Sequence, residues 1–169
     1  MQLRNKLEPD LKIAEQRYPE VLNAILAYTD FCDAHGDDHL HEYKKLEDKL
    51  HLITGKEMSR FNLSEWWEEE GAEPLAFKIS LPDPVIIDDI SREELTEIVS
   101  RLKTFDDADE DDQRFFSQFR HHLDSYYHAL LALNFKGYDP KFFQRNKDKN
   151  GKYFEYQAAE IVARIMPGG

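Results

Sequence analysis

The sequence predicts a predominantly helical α+β fold, with about five helices, one small two-stranded β element and a single domain over residues 1–169. Hydrophobic residues recur every three or four positions along most of the chain, as in amphipathic helices. One short stretch alternates instead between apolar and polar positions, as in a half-buried strand. With 41% hydrophobic residues in a chain of 169, there are enough apolar side chains for one core.

Two helices are predicted in the first third of the chain. Pro19 suits the first turn of a helix that ends at Gly36, and residues 9–17 form a turn or short helix before a kink at this proline. A second helix is predicted over about 38–54. Its expected caps are Asp37 or Asp38 at the start and Gly55 at the end.

The middle of the chain is predicted to change from helix to strand. Asn62 with Glu65 forms a capping box for a short helix that ends at Gly71. Apolar residues then alternate with Ala, Lys and Ser over 75–81, which predicts a strand, and residues 85–87 predict its partner.

Helices and loops are predicted to alternate in the rest of the chain. Ser91 and Glu94 form a capping box for a helix that continues to about residue 104. Residues 106–112 hold six carboxylates and predict an acidic surface loop, which leads into a long helix over about 112–134. The remaining signals are Asp139 as a cap before Pro140, a turn at Asn150-Gly151 and a last helix over about 156–166.

The long helix separates its aromatic and polar side chains. At about 100° per residue, the aromatic and aliphatic residues form one broad face. The opposite face carries Arg114, Gln118, His121, Asp124, Ser125 and His128. This pattern predicts a solvated helix face whose imidazoles point outward into water.

Two chemical hypotheses apply to this polar face. Asp124 and His128 are four residues apart and can share a metal ion if another segment, such as the one with His35 and His39, supplies further ligands. Arg114 and His121, with six residues between them, resemble the Arg-x4-6-His motif of HEPN-type ribonucleases. That resemblance implies a histidine for proton transfer and an arginine for phosphate charge. The solvated face is favoured over both, so neither a metal nor another cofactor is predicted.

Residues 135–156 are basic and aromatic, unlike the rest of the chain. They carry three more positive than negative charges, whereas the whole chain has a net charge of -12. Basic groups beside aromatic rings can hold single-stranded nucleic acid. The favoured interpretation is that the rings face the core and the lysines face water, because the acidic remainder repels phosphate.

The acidic surface is the strongest functional signal. A net charge of -12 disfavours nucleic acid and anionic membranes as partners and favours a basic protein. One tryptophan of the adjacent pair is expected in the core and the other at the rim, where it suits a partner's hot spot. The candidate partner-binding residues are Trp66, Trp67, Glu68, Glu69, Glu70, Asp109, Glu110, Asp111 and Asp112.

The sequence therefore predicts a cytoplasmic binding protein, such as an inhibitor, antitoxin or immunity-type protein that docks on a basic partner. The alternative is an enzyme, either a metal-dependent hydrolase or a metal-independent ribonuclease, that uses the polar face of 112–134. A single cysteine, Cys32, excludes an internal disulfide, and neither a signal peptide nor a membrane span is expected. Motifs such as GxxxxGK[ST], HExxH and GxSxG are absent, which removes several common enzyme classes.

Overall fold

A computed structural model of the protein describes residues 2–104, 115 and 117–168. The chain forms two compact units, one of residues 10–82 and one that joins residues 1–9 to 83–169. The described residues contain six α-helices, short 3-10 helices and one two-stranded antiparallel sheet. The predicted class, α+β and predominantly α, is confirmed, while the prediction of a single domain stays a prediction. None of the described helices is long and apolar enough to cross a membrane.

The first unit contains helices α1 (Leu11–His35), α2 (His41–Thr54) and α3 (Ala72–Ser80), and α1 packs against both of the others. The predicted helix start at Pro19 is wrong, because α1 begins at Leu11 and continues through this proline. Proline in a helix interior costs about 3 kcal/mol. Buried residues on both sides of Pro19 hold the helix in place despite this cost.

Asp37, one of the two predicted candidates, caps the first-turn N–H groups of α2, although Leu40 occupies the N-cap position. Its carboxylate accepts hydrogen bonds from the backbone N–H of Glu42 at 3.2 Å and of Tyr43 at 2.8 Å. Burial acts to raise the pKa of Asp37, but these bonds favour the charged form, and the net pKa is lowered. The helix begins later than predicted because Leu40 has a left-handed backbone, with φ 55°.

The predicted strand over 75–81 is wrong, because this segment forms α3 and then ends the helix at Leu81. The alternation of apolar and polar residues does not mark a solvent-exposed face here. Ala76 and Ser80, which were predicted to face water, are fully buried. A segment in which only Lys78 is partly exposed cannot be assigned to strand or helix from its periodicity alone. The helix also satisfies the Ser80 hydroxyl, which donates to the carbonyl of Ala76 at 2.7 Å.

The second unit contains α4 (Arg92–Thr104), α5 (Leu123–Asn134) and α6 (Ala158–Ile165), together with strands β1 (Asn146–Lys147) and β2 (Tyr153–Phe154). The N-terminal segment belongs to this unit through Glu8. Its carboxylate accepts from the Arg101 guanidinium at 2.8 Å and from the Tyr127 hydroxyl at 2.9 Å. Burial raises the pKa of Tyr127, so its hydroxyl stays a donor at neutral pH.

The second predicted strand, over 85–87, is also wrong. This segment has no strand partner in the described residues and is held instead by the Asn134 side chain. The Asn134 amide accepts from the backbone N–H of Ile87 at 2.6 Å and donates to the carbonyl of Val85 at 3.1 Å. The β element lies around the predicted Asn150-Gly151 turn, where β1 and β2 pair.

Two of the predicted caps in this unit are confirmed. Ser91 N–H donates to the Glu94 carboxylate at 2.9 Å, and Glu94 N–H donates to the Ser91 hydroxyl at 3.2 Å. Asp139 accepts from the backbone N–H of Lys141 at 2.9 Å and caps the 3-10 helix that Pro140 begins. The predicted acidic loop over 106–112 lies outside the described residues.

Candidate functional site

The segment of residues 62–71 holds both tryptophans in a short, defined turn. Asn62 accepts a hydrogen bond from the backbone N–H of Glu65 at 3.0 Å, but the predicted capping box is wrong, because Glu65 and not Asn62 precedes the helix that follows. A 3-10 helix follows over Trp66–Glu68, shorter than the predicted helix. Gly71, with φ 106°, then turns the chain into α3. The segment is therefore a constrained loop on the first unit.

The two tryptophans have different environments, as predicted. Trp66 packs against the core, and its indole N–H donates to the Thr29 hydroxyl at 3.1 Å. Trp67 is 58% exposed. The two rings meet edge to face, with centroids 5.7 Å apart and planes at 78°. The anchored indole of Trp66 thus supports the exposed indole of Trp67.

Carboxylates surround Trp67 in sequence. Glu65, Glu68 and Glu69 are exposed, and the loop of residues 65–70 contains no basic residue. Glu70 pairs with the Lys78 ammonium on α3. We call residues 65–70 the acidic tryptophan loop. An exposed aromatic ring among acids suits a positively charged protein surface.

The acidic tryptophan loop covers only part of the predicted partner-binding set. The other candidates, Asp109, Glu110, Asp111 and Asp112, lie outside the described residues. Arg114, the predicted phosphate-binding residue of the ribonuclease hypothesis, lies outside them as well.

The predicted long helix over 112–134 is not continuous in its described part. Ser117–His122 form a 3-10 helix, and the α-helix begins only at Leu123. His121 lies in the 3-10 helix, so the spacing of about 100° per residue on which its predicted position rests does not apply to it. Its side chain is nevertheless exposed. Asp124 and His128 both lie on α5, four residues apart, and share one side of it.

His128 is half-buried, so the prediction that it points outward into water is wrong. Its Nδ1 hydrogen bonds to the Tyr138 hydroxyl at 2.9 Å. Its ring meets the ring of Phe143 edge to face, with centroids 4.9 Å apart. Burial lowers the pKa of His128, while the nearby Asp124 acts in the opposite direction. Burial thus favours the neutral imidazole of His128, with Tyr138 as its partner.

Replacing Asp124 with asparagine is expected to lower the pKa of His128 further. The substitution removes the negative charge that favours the imidazolium, and the burial that disfavours it stays. The imidazole Cε1–H signal, followed by NMR from pH 8 to about 4, measures this pKa. His121 in the same spectrum serves as the internal control. An unchanged or raised pKa of His128 would contradict the assigned environment.

The metal hypothesis combined two histidine segments. Asp124 and His128 lie in the second unit, while His35 and His39 lie in the first. The His35 ring packs near that of Phe31, with centroids 5.0 Å apart. Across residues 2–104, 115 and 117–168, no three His, Cys, Asp or Glu side chains are placed to hold one metal ion.

A groove of about 280 Å³ between α1 and α2 was not predicted from the sequence. Its apolar lining includes two alanines three residues apart on α1, and this spacing of small residues is the signal that could have indicated it. Lys45 at its edge pairs with Glu42 at 2.6 Å. The residues that line it are Ala24, Ala27, Tyr28, Phe31, Glu42, Lys45, Leu46 and Lys49.

Comparison of the chain with protein-family models, with curated proteins and with solved structures found no match.

Proposed function

We propose that this protein binds a basic protein partner through the acidic tryptophan loop. The single observation that carries the proposal is the exposed Trp67 indole, supported edge to face by the anchored Trp66. Surface tryptophans that are held in place lose little conformational freedom on binding and are frequent hot spots.

The charge of the chain supports the same proposal. The net charge is -12, and the acidic tryptophan loop contributes four carboxylates without a lysine or arginine. Long-range attraction of this kind speeds the encounter with a basic surface, while burial of the Trp67 indole in the interface sets the lifetime of the complex. An inhibitor, antitoxin or immunity-type protein that covers a positively charged site has these properties.

Replacing Trp67 with alanine is expected to weaken partner binding by about 30-fold, the loss typical of a hot-spot tryptophan. A pull-down at low and moderate salt identifies basic proteins that the wild-type chain retains, and calorimetry then measures their affinity for each variant. Trp67 is chosen over Trp66 because Trp66 packs on the core and its loss would disturb folding.

Leu52→Ala is the matched control for Trp67→Ala. Leu52 is 84% exposed on α2 of the same unit and has no acidic loop around it. A partner that binds Leu52→Ala like the wild type and binds Trp67→Ala poorly supports the proposal. Equal binding by all three proteins, or retention of no basic protein at low salt, would refute it.

A further inference from the structure

A β-hairpin over residues 146–154 presents two aromatic rings on the second unit. In its ladder Lys147 lies directly opposite Tyr153. Tyr153 and Phe154 are adjacent in β2, so their side chains point to opposite faces of the hairpin. Asp148 fixes the turn, since its carboxylate accepts two backbone hydrogen bonds, at 2.8 and 2.9 Å.

The first face of the hairpin combines an exposed ring with two cations. Tyr153 is 53% exposed. The Arg145 guanidinium lies 4.4 Å from its ring centroid and the Lys147 ammonium lies 5.4 Å from it. Both distances are typical of cation–π interactions. Both cations therefore lie over the Tyr153 ring, which still remains half exposed.

The second face of the hairpin also combines an exposed aromatic ring with a cation. Phe154 is 37% exposed and meets Tyr156 edge to face, with ring centroids 5.1 Å apart. The Arg164 guanidinium lies 4.3 Å from the Tyr156 centroid and 5.8 Å from that of Phe142. The sequence-based interpretation that the rings of this segment face the core is therefore wrong for Tyr153 and Phe154.

The acids of the hairpin do not neutralise these cations. Asp148 is engaged by the turn backbone, and the Glu155 carboxylate pairs with the Lys103 ammonium at 3.5 Å. Within the described part of the chain, neither Arg145 nor Lys147 lies within ion-pair distance of a carboxylate. The same holds there for Arg164, so positive charge remains available to an anionic ligand.

We propose that this hairpin surface binds single-stranded nucleic acid. It comprises both faces of the hairpin, with Arg145, Lys147 and Tyr153 on one face and Phe154 and Arg164 on the other. Bases would stack on the exposed rings, and phosphates would contact the guanidinium and ammonium groups. An acidic peptide would satisfy the cations but leave the rings without a stacking partner, which is why nucleic acid is the favoured ligand.

The net charge of -12 weakens this binding without preventing it. At physiological ionic strength, charges are screened over about 8 Å, so the cations of the hairpin surface dominate the field close to it. The sequence disfavours nucleic acid for two reasons, the overall charge and the expected burial of the rings. The exposure of Tyr153 and Phe154 removes the second reason.

The test is fluorescence anisotropy of the full chain with labelled oligouridine of about 12 nucleotides. Binding is expected in the micromolar range at about 50 mM salt and to weaken about 20-fold at about 200 mM, if three cations contact phosphates. Tyr153→Ala is expected to weaken binding about tenfold through lost stacking. Arg145→Gln is expected to reduce the salt dependence by about one phosphate contact.

Trp67→Ala is the matched control, because Trp67 has a similar exposure but belongs to the other unit. It is expected to leave oligonucleotide binding unchanged, which separates this proposal from that of a basic partner. Circular dichroism confirms that each variant is folded.

Three results would overturn the hairpin proposal. The first is no binding at about 50 mM salt with about 100 µM protein. The second is equal binding of a duplex or of an oligoglutamate of the same length. The third is an unchanged affinity of Tyr153→Ala.

Discussion

Replacing Ala76 with aspartate is expected to unfold the unit formed by residues 10–82. Ala76 is fully buried in the core cluster of this unit, which also contains Ile25, Leu50 and Ile79. An uncompensated buried charge costs about 3–5 kcal/mol. That loss is a large part of the stability of a typical small domain, which is about 5–15 kcal/mol.

The same substitution separates the two structures considered for residues 75–81. In a half-buried strand Ala76 would face water, and the aspartate would cost little. In α3 it faces the core. Urea denaturation followed by tryptophan fluorescence measures the difference, and it reports on this unit because both tryptophans of the chain, Trp66 and Trp67, lie there.

Ala34→Asp is the control for Ala76→Asp. It introduces the same side chain at an exposed position near the end of α1 in the same unit. Its expected cost is within about 1 kcal/mol, because surface substitutions change stability little. If both variants unfold at the wild-type urea concentration, the packing assigned to α3 is incorrect.

Removing the Glu94 side chain is expected to destabilise the second unit by about 3 kcal/mol. Glu94 is 5% exposed. Its carboxylate accepts from the Arg4 guanidinium at 2.5 and 2.9 Å and from the Ser91 N–H at 2.9 Å. Glu94→Ala therefore breaks a charge-assisted bond to the N-terminal segment and one half of a capping box.

Glu93→Ala is the matched control for Glu94→Ala. It removes the same side chain from the same first turn of α4, but at an exposed position. Urea denaturation followed by circular dichroism is expected to place it within about 0.5 kcal/mol of the wild type. Equal destabilisation by the two variants would show that the bonds of Glu94 to Arg4 and Ser91 do not contribute to the stability of this unit.

The Glu94 interaction also predicts the pH dependence of stability. Hydrogen bonding to Arg4 lowers the pKa of Glu94 below its ordinary value, and the same guanidinium lowers the pKa of Asp89. A carboxyl group whose pKa is lowered by folding stabilises the folded state at pH values above its ordinary pKa, near 4.5 for Glu94. This stabilisation is lost as the pH falls through the pKa of the folded state. The stability difference between the wild type and Glu94→Gln should therefore shrink from pH 7 towards pH 3.

Local signals in the sequence determined much of the secondary structure. The caps at Asp37, Ser91 and Asp139 were predicted because each side chain bonds to backbone N–H groups a few residues away. The amphipathic helices were predicted because apolar residues recur every three or four positions on one face of each helix. The contrast between Trp66 and Trp67 also followed from local geometry, since adjacent helical residues point about 100° apart.

Tertiary structure alone decided which side chains are buried by residues from distant parts of the chain. Burial of Ala76 and Ser80 made a helix of a segment that alternates like a strand. His128 became half-buried because Tyr138 and Phe143, ten or more residues away, pack against it.

The exposure of the candidate surfaces was decided in the same way. Tyr153 and Phe154 remained accessible although their segment is rich in aromatics. The physical reason is that hydrogen bonds and helical periodicity act over about four residues, whereas burial depends on groups brought together from distant parts of the chain. Local sequence signals thus determined the fold class, several caps and most of the helices, and the packing of distant residues decided which side chains are exposed.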